Sequence, residues 1–477
     1  MTEEHTLTLT SCGIDVGTTT SHLIFSKLKL EKIYTPRGIK FEVTEREILY
    51  KSRIMLTPLI EGTNIDYLKL VEFIKEEYQK ADVSIDDIDT GAVIITGESA
   101  KKENAEELVK SLAHKAGKFV CAAAGPNFES VIAAMGSGAA LYSKESKKTV
   151  INIDIGGGTS NIGIAKDGEI LDAACVNVGG RLLAFDEEGR IIRIEAPIRN
   201  LEEKIGVTFD YGMVITDDQK RAMAKILAES LFEVLNKNIK SKIAQNLLMT
   251  NPIEYDGTID EMIFSGGVAE YIYNKTDVDY NDLGKYLGDE IRKIVDEQGI
   301  TLYEPQELIR ATVIGAGQYT LQVSGVTTHI SDSALLPIHN IPVLEPKLDT
   351  KDITEETVRK AILKSFNLFD VIEGEQSVAL SFKGAIGGSY AGLTTFAKGV
   401  VSAVPKTIER EMPIIMIFDR DIGNSVGNVM KRETEATENI ISVDEINVQE
   451  GDFIDIDKPK AGGQVVPVVV KSLVFSN

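Results

Sequence analysis

A chain of 477 residues with 43% hydrophobic residues has the material for about three domains, each with its own core. Its formal net charge of −22 is spread along the chain, which sets the electrostatics against nucleic acid and anionic lipid. A bound small anion would therefore need a local exception to that field.

The start MTEEHTLTLTSC is acidic and polar, and no apolar run reaches membrane-spanning length, so a cytoplasmic protein without a signal peptide is expected. Cys12, Cys121 and Cys175 lie far apart among apolar or small residues, as reduced, buried thiols do. The five histidines include no helical pair suited to a metal.

In chain order, TLTLTSCGIDVGTTTSHLIFSKLKL alternates, breaks at Asp15 to Thr19 and resumes, which predicts a hairpin. Residues 65–80 carry Leu68, Val71, Phe73, Ile74 and Tyr78 at helical spacing, with Asn64 or Asp66 as the cap. GAVIITG reads as a buried strand, ESAKKENAEELVKSLAHKAG as a helix and KFVCAAA as a strand. Residues 125–143 then form a small-residue helix suited to close packing.

A strand pair follows, with Lys166-Asp167-Gly168 at its turn. Residues 216–249 are strongly helical, 260–272 read as a strand entering a glycine turn and a helix, and 311–325 as a second small-residue helix. The proline-marked stretch 327–350 reads as a linker. Beyond it, helices alternate with VALSF, PIIMIF and ENIISV, which predicts a parallel or mixed sheet in a separate domain.

IDVGTTTSHLIF from Ile14 and IDIGGGTSNIGI from Ile153 share Ile, Asp, Gly, Thr and Ser at the same offsets. Two copies of a strand, acid, glycine loop and strand imply a duplicated fold with facing halves. Glycines let backbone N–H groups converge on an anion, and threonine hydroxyls add donors. An aspartate beside phosphate is tolerable only with a cation between them, so Asp15 and Asp154 point to magnesium. FSGGVA, from Phe264, adds a strand-to-helix turn on which a base and ribose can lie. Each loop alone would be an ordinary turn; their order is what makes them specific.

That order resembles the actin-like ATPase superfamily, whose two phosphate loops, adenosine loop and two connecting helices look like GIDVGTTTSHLIF, INIDIGGGTSNIGIA, MIFSGGVAEYI, GPNFESVIAAMGSGAA and ATVIGAGQYT. The implied fold is α/β, with duplicated actin-like (ribonuclease H-like) ATPase domains at 8–148 and 149–326 and an additional C-terminal α/β domain at 340–477. ITGESAKKENA, CAAAGPNFES, ILDAACVNVGGRLL, FSGGVAEYIY, FDRDIGNSVGN and VVPVVVKSLVF further resemble the EutA family of ethanolamine ammonia-lyase reactivating factors.

The resemblance implies ATP/ADP and magnesium as cofactors, with Asp15 and Asp154 at the metal and in the catalytic role. Gly17, Thr18 and Thr19 would meet the phosphates from one side, Gly156, Gly157, Gly158 and Thr159 from the other, and Gly266 and Gly267 the adenosine. Glu129 is the nearest match to the glutamate that DnaK-type chaperones hold near the first connecting helix, although it follows the proline of that motif. Glu98 reads equally well as a helix-dipole contact.

The implied activity is slow ATP hydrolysis that drives exchange of damaged cobalamin for adenosylcobalamin in ethanolamine ammonia-lyase. No nucleic acid or membrane partner is expected; a homodimer and association with a bacterial microcompartment are compatible with the resemblance. A small-molecule kinase and a filament or scaffold ATPase are the alternatives on this fold. FDRDIGNSVG also resembles a phosphatase loop, but Asp421 or Asn424 as a helix cap is the favoured reading. GAIGGSYAG is read as a turn or packing feature, and its domain is assigned to partner recognition.

Overall fold

The computed structural model describes residues 6–17, 20–35, 38–60, 64–84, 87–88, 90–95, 119–123, 125–305, 318–324, 329–349, 353–384, 388–436, 438–444, 446–456, 458 and 466–472. Strands β1 (Thr6–Val16), β2 (Thr20–Thr35), β3 (Gly38–Lys51), β4 (Thr90–Ile95) and β5 (Phe119–Ala123) make a first sheet ordered β3-β2-β1-β4-β5. β1, β2 and β3 are antiparallel neighbours, whereas β4 and β5 join parallel to β1.

Strands β6 (Val150–Ile155), β7 (Ser160–Lys166), β8 (Glu169–Val176) and β9 (Glu261–Ser265) repeat this path as β8-β7-β6-β9, with the same strand directions. A parallel bridge from Met262 to Leu302 fills the place that β5 takes in the first sheet. The β7–β8 hairpin turns through Asp167 and Gly168, both at positive φ, as two-residue hairpins favour.

The small-residue helix is two helices, Pro126–Gly136 and Ala139–Ser146, divided where Gly138 takes φ 82°. Its small side chains allow close approach: a Cβ on Gly163 of β7 would lie 2.7 Å from the Ala134 Cβ. Helix Tyr67–Lys80 is capped by Asp66 and buries Leu70, Phe73 and Glu77, while Leu68 is 77% exposed. The predicted helix after Glu98 lies outside the described residues.

A third sheet of eight strands differs most from the sequence expectation. In spatial order it runs through 318–324, 466–472, 452–456, 338–344, 379–382, 414–418, 440–443 and 329–330. Strands 379–382, 414–418 and 440–443 are parallel neighbours, as helix–strand alternation predicts. Residues 318–324, expected at the end of a helix, form a strand, and the rest of that expected helix, 311–317 and 325, lies outside the described residues. The expected linker supplies two strands and a short 3-10 helix.

Pro342 sits within one of those strands. It pairs with Phe453 in the antiparallel register, just past a shift between Ile338 and Ile341, and the parallel pairing on its other side begins only at Val343. Asp421 and Asn424 do not cap helix Gly423–Glu433. No side chain caps it at its N-cap residue, Ile422, and Asp444 accepts the Gly423 N–H at 3.1 Å.

One hydrophobic core runs from helix Pro126–Gly136, through Val150 and Ile263, to Phe366, Phe382 and Phe418 around the third sheet. At this junction Asp370 accepts the Phe128 N–H at 2.8 Å, and the Asn127 amide donates to the Asn367 carbonyl at 2.9 Å. Gly125 leaves the helix without a side-chain cap of its own, so Asp370 caps it from outside. Asp370→Ala is expected to destabilise this core by about 1–2 kcal/mol, lowering its urea midpoint. An unchanged midpoint would remove the cap from the account. Among the described residues no helix is long and apolar enough to cross a membrane.

Candidate functional site

The first strand of each repeated sheet ends in an aspartate followed by a tight loop. Asp15 lies opposite His22 in the β1–β2 register, and Asp154 lies opposite Asn161 in β6–β7. Gly17 N–H donates to Thr20 O at 2.9 Å, and Gly156 N–H to Thr159 O at 3.0 Å. The two loops thus share a hydrogen bond at the same offset from the acid, which supports duplication at the level of geometry.

Between the loops lies a cleft of about 560 Å³, within the range of small-molecule sites. Asp15, Gly17, Asp154, Gly156, Gly157, Gly158, Thr159, Gly266 and Gly267 all line it. Thr18 and Thr19 lie outside the described residues.

Asp154 is 8% exposed and accepts the Ser265 hydroxyl at 2.7 Å. Burial pushes its carboxyl up to about 6, with the Ser265 hydrogen bond opposing that shift. A cation beside it would reverse the penalty. Asp15 is equally buried on the facing loop. Among the described residues no group of three or more His, Cys, Asp or Glu could hold a metal. The donor set fits magnesium, which needs one or two carboxylates when phosphate and water complete its octahedron.

Gly266 takes φ 83°, and a Cβ there would stand 2.5 Å from the Ile155 carbonyl oxygen. A Cβ on neighbouring Gly267 would meet nothing within 4 Å, so its face is open. The Ser-Gly-Gly turn therefore locks onto the end of β6 and presents bare backbone beside it.

Part of the cleft was not assigned from sequence. The Gly179-Gly180-Arg181 turn lies directly on the glycine loop: Gly180 N–H donates to Gly156 O at 3.0 Å and Arg181 N–H to Gly157 O at 2.6 Å. A Cβ on Gly179 would come within 2.4 Å of the Gly157 oxygen. The paired glycines after β8 were the available signal. Glu129, matched to the chaperone glutamate, lines the cleft, is 8% exposed, and accepts the Asn161 amide at 3.0 Å. Glu98 lies outside the described residues, and the described glycines of the Gly384 to Gly392 run do not line the cleft; Gly384 N–H donates to Asp419 at 3.0 Å.

Two sheets of one topology, each offering an acid and a glycine-bearing loop to a shared cleft, make a duplicated α/β fold. The family described as Ethanolamine utilisation protein EutA matches residues 7–476, and the chain belongs to that family. Its relatives include the ethanolamine ammonia-lyase reactivase EutA of Salmonella typhimurium strain LT2, 34% identical over 475 residues and 99% of both chains. The protein of the same name from Escherichia coli K12 is 34% identical over 476 residues, again across 99% of both. Among solved structures, the PPX-GPPA enzyme of Aquifex aeolicus aligns at TM-score 0.38 and 13% identity, covering 65% of this chain and 99% of that one.

Proposed function

We propose that this protein is an ATP- and magnesium-dependent reactivating factor for ethanolamine ammonia-lyase, promoting exchange of damaged cobalamin for adenosylcobalamin. The observation that carries the nucleotide half is the matched pair of acid-and-glycine loops on one cleft. Membership of the EutA family supports the partner half.

Asp15 and Asp154 would hold magnesium, largely through water, and the ion would supply charge neutralisation for the phosphates. Gly157 and Gly158 would offer backbone N–H groups to the phosphate chain from one lobe, Gly17 and Gly156, whose N–H groups close their own hairpins, would let it approach the two loops without a Cβ in the way, and Gly266 and Gly267 would take the adenosine. Because the terminal phosphate meets both loops, its hydrolysis removes a contact between lobes and shifts their closure. The partner enzyme, bound better in one state than the other, would open in step and release cobalamin. Residues 340–477 would carry partner recognition, with 8–148 and 149–326 as the two halves of the switch. A homodimer at a cytoplasmic microcompartment is the working form in this reading, testable by sedimentation and fractionation.

Glu129 would position or deprotonate the attacking water. Glu129→Gln should lower single-turnover ATP hydrolysis by about 100-fold, a typical loss for a general base, with ATP affinity little changed. A parallel loss of affinity would instead make Glu129 a binding group. The function itself is tested by loading ethanolamine ammonia-lyase with a cobalamin lacking its adenosyl group and measuring cobalamin release on gel filtration. Release with the protein and magnesium nucleotide, and retention without them, is the expected result; retention in both would reject the proposal.

A further inference from the structure

A nucleotide brings several negative charges into a cleft whose described lining already holds Asp15, Glu129, Asp154, Glu270 and Asp282. Magnesium at the two loop aspartates can offset part of this charge. The described lining offers two permanent cations, Arg53 and Arg181. Arg53 is committed to the first lobe: it reaches Glu76 at 2.7 Å and Glu77 at 3.4 Å and lies 5.6 Å over the Phe73 ring.

Arg181 is held differently. Its backbone N–H is fixed to Gly157 O, so its Cα cannot leave the glycine loop without breaking that contact. Its side chain is one quarter exposed, its Nε is buried without a hydrogen bond, and its nearest described acid, Asp282, stands 3.9 Å away. That is too long for a hydrogen bond. Asp282 meanwhile accepts the Gly284 N–H at 2.8 Å, and its carboxyl is pushed up to about 6 because burial outweighs that hydrogen bond and the weaker pull of the guanidinium. Gly180 packs against Val268 and Gly284, which carries this turn across to the adenosine side of the cleft.

The geometry points to Arg181 as a phosphate-contacting residue: its guanidinium, loosely held by Asp282 at rest, turns to the phosphate chain of the bound nucleotide from the second lobe. An arginine suits this because its planar donors bind phosphate oxygens in pairs. It supplies the local exception that an acidic chain needs to take up an anion. The inference rests on the nucleotide reading of the cleft.

The test compares ADP and adenosine binding by calorimetry to the full chain, with magnesium, in wild type and in Arg181→Met, Arg181→Lys and Asp282→Asn. Arg181→Met should weaken ADP by about tenfold or more, the scale of a charge-assisted hydrogen bond, and leave adenosine unchanged. Arg181→Lys should recover part of the loss. Asp282→Asn keeps the acceptor for Gly284 but removes the competing charge, so ADP should bind more tightly. Weaker binding in both Asp282→Asn and Arg181→Met, or an equal loss of adenosine, would make the contact structural and overturn the inference. ADP binding untouched by Arg181→Met would overturn it alone, whereas a wild type that binds no ADP would sink it together with the nucleotide reading.

Discussion

Asp154→Asn is expected to abolish nucleotide-driven reactivation while making the ligand-free protein more stable at neutral pH. The two effects have one cause. The Asp154 carboxyl is buried, and its folded value near 6 stands well above its ordinary 3.8. Between about pH 4 and 6 the native state therefore holds more protons than the unfolded chain, so stability falls as pH rises through that window. Above pH 6 the whole penalty is present, on the order of 3 kcal/mol for a shift of about two units.

Asparagine does not titrate and can still accept the Ser265 hydroxyl, so the variant should escape that penalty. Thermal unfolding should show a higher midpoint for the variant above pH 6 and a convergence with wild type near pH 4. In wild type, magnesium-nucleotide binding must displace the proton, so affinity should rise from pH 5 to pH 7; in the variant it should be weak throughout. A ligand-free variant less stable than wild type at pH 7.5 would show that Asp154 is held by something other than an absent cation.

The second large effect lies in the Ser-Gly-Gly turn, where adjacent glycines should respond in opposite ways. At Gly266 a side chain must adopt φ 83° and drive into the Ile155 carbonyl, next to both Asp154 and Gly156. Neither can move without disturbing the first strand of the second sheet. Gly266→Val should therefore destabilise the second lobe by about 3 kcal/mol or more and eliminate nucleotide binding, combining backbone strain with overpacking. At Gly267 the Cβ position is open. Gly267→Val should unfold at the wild-type temperature yet bind ADP and adenosine at least about tenfold more weakly, because the branched side chain occupies the base's platform. Normal adenosine affinity in Gly267→Val would move the base elsewhere in the cleft.

The repeated loop could be read directly from residues because its requirements are local. An acid at a strand end, a glycine two residues on and a threonine closing the hairpin are all set within a few positions. What escaped the sequence reading depended on distant partners. Gly179 and Gly180 are short of space only because another loop lies against them, and Asp370 caps a helix more than two hundred residues earlier. The same holds for Asp444, which takes the role expected of Asp421 or Asn424 at helix Gly423–Glu433.

Strand 338–344 reads as a linker because Pro337 and Pro342 are turn residues by local rule, yet Pro342 pairs with Phe453 within the strand, one residue before the parallel pairing begins. Leu68 fits the helical period yet faces outward, since the chain beneath that helix makes Leu70, Phe73 and Glu77 the buried stripe. Periodicity identifies that helix, but packing selects the buried face.

The most direct test of the switch is recovery of ethanolamine ammonia-lyase turnover. The lyase, inactivated with a cobalamin lacking the adenosyl group, is mixed with this protein and supplied with adenosylcobalamin, ATP and magnesium. Turnover should return with the wild-type protein and should not return when ATP or magnesium is withheld or when Asp154→Asn replaces wild type. No recovery with wild type, or equal recovery with Asp154→Asn, would contradict an ATP-driven reactivase built on this cleft.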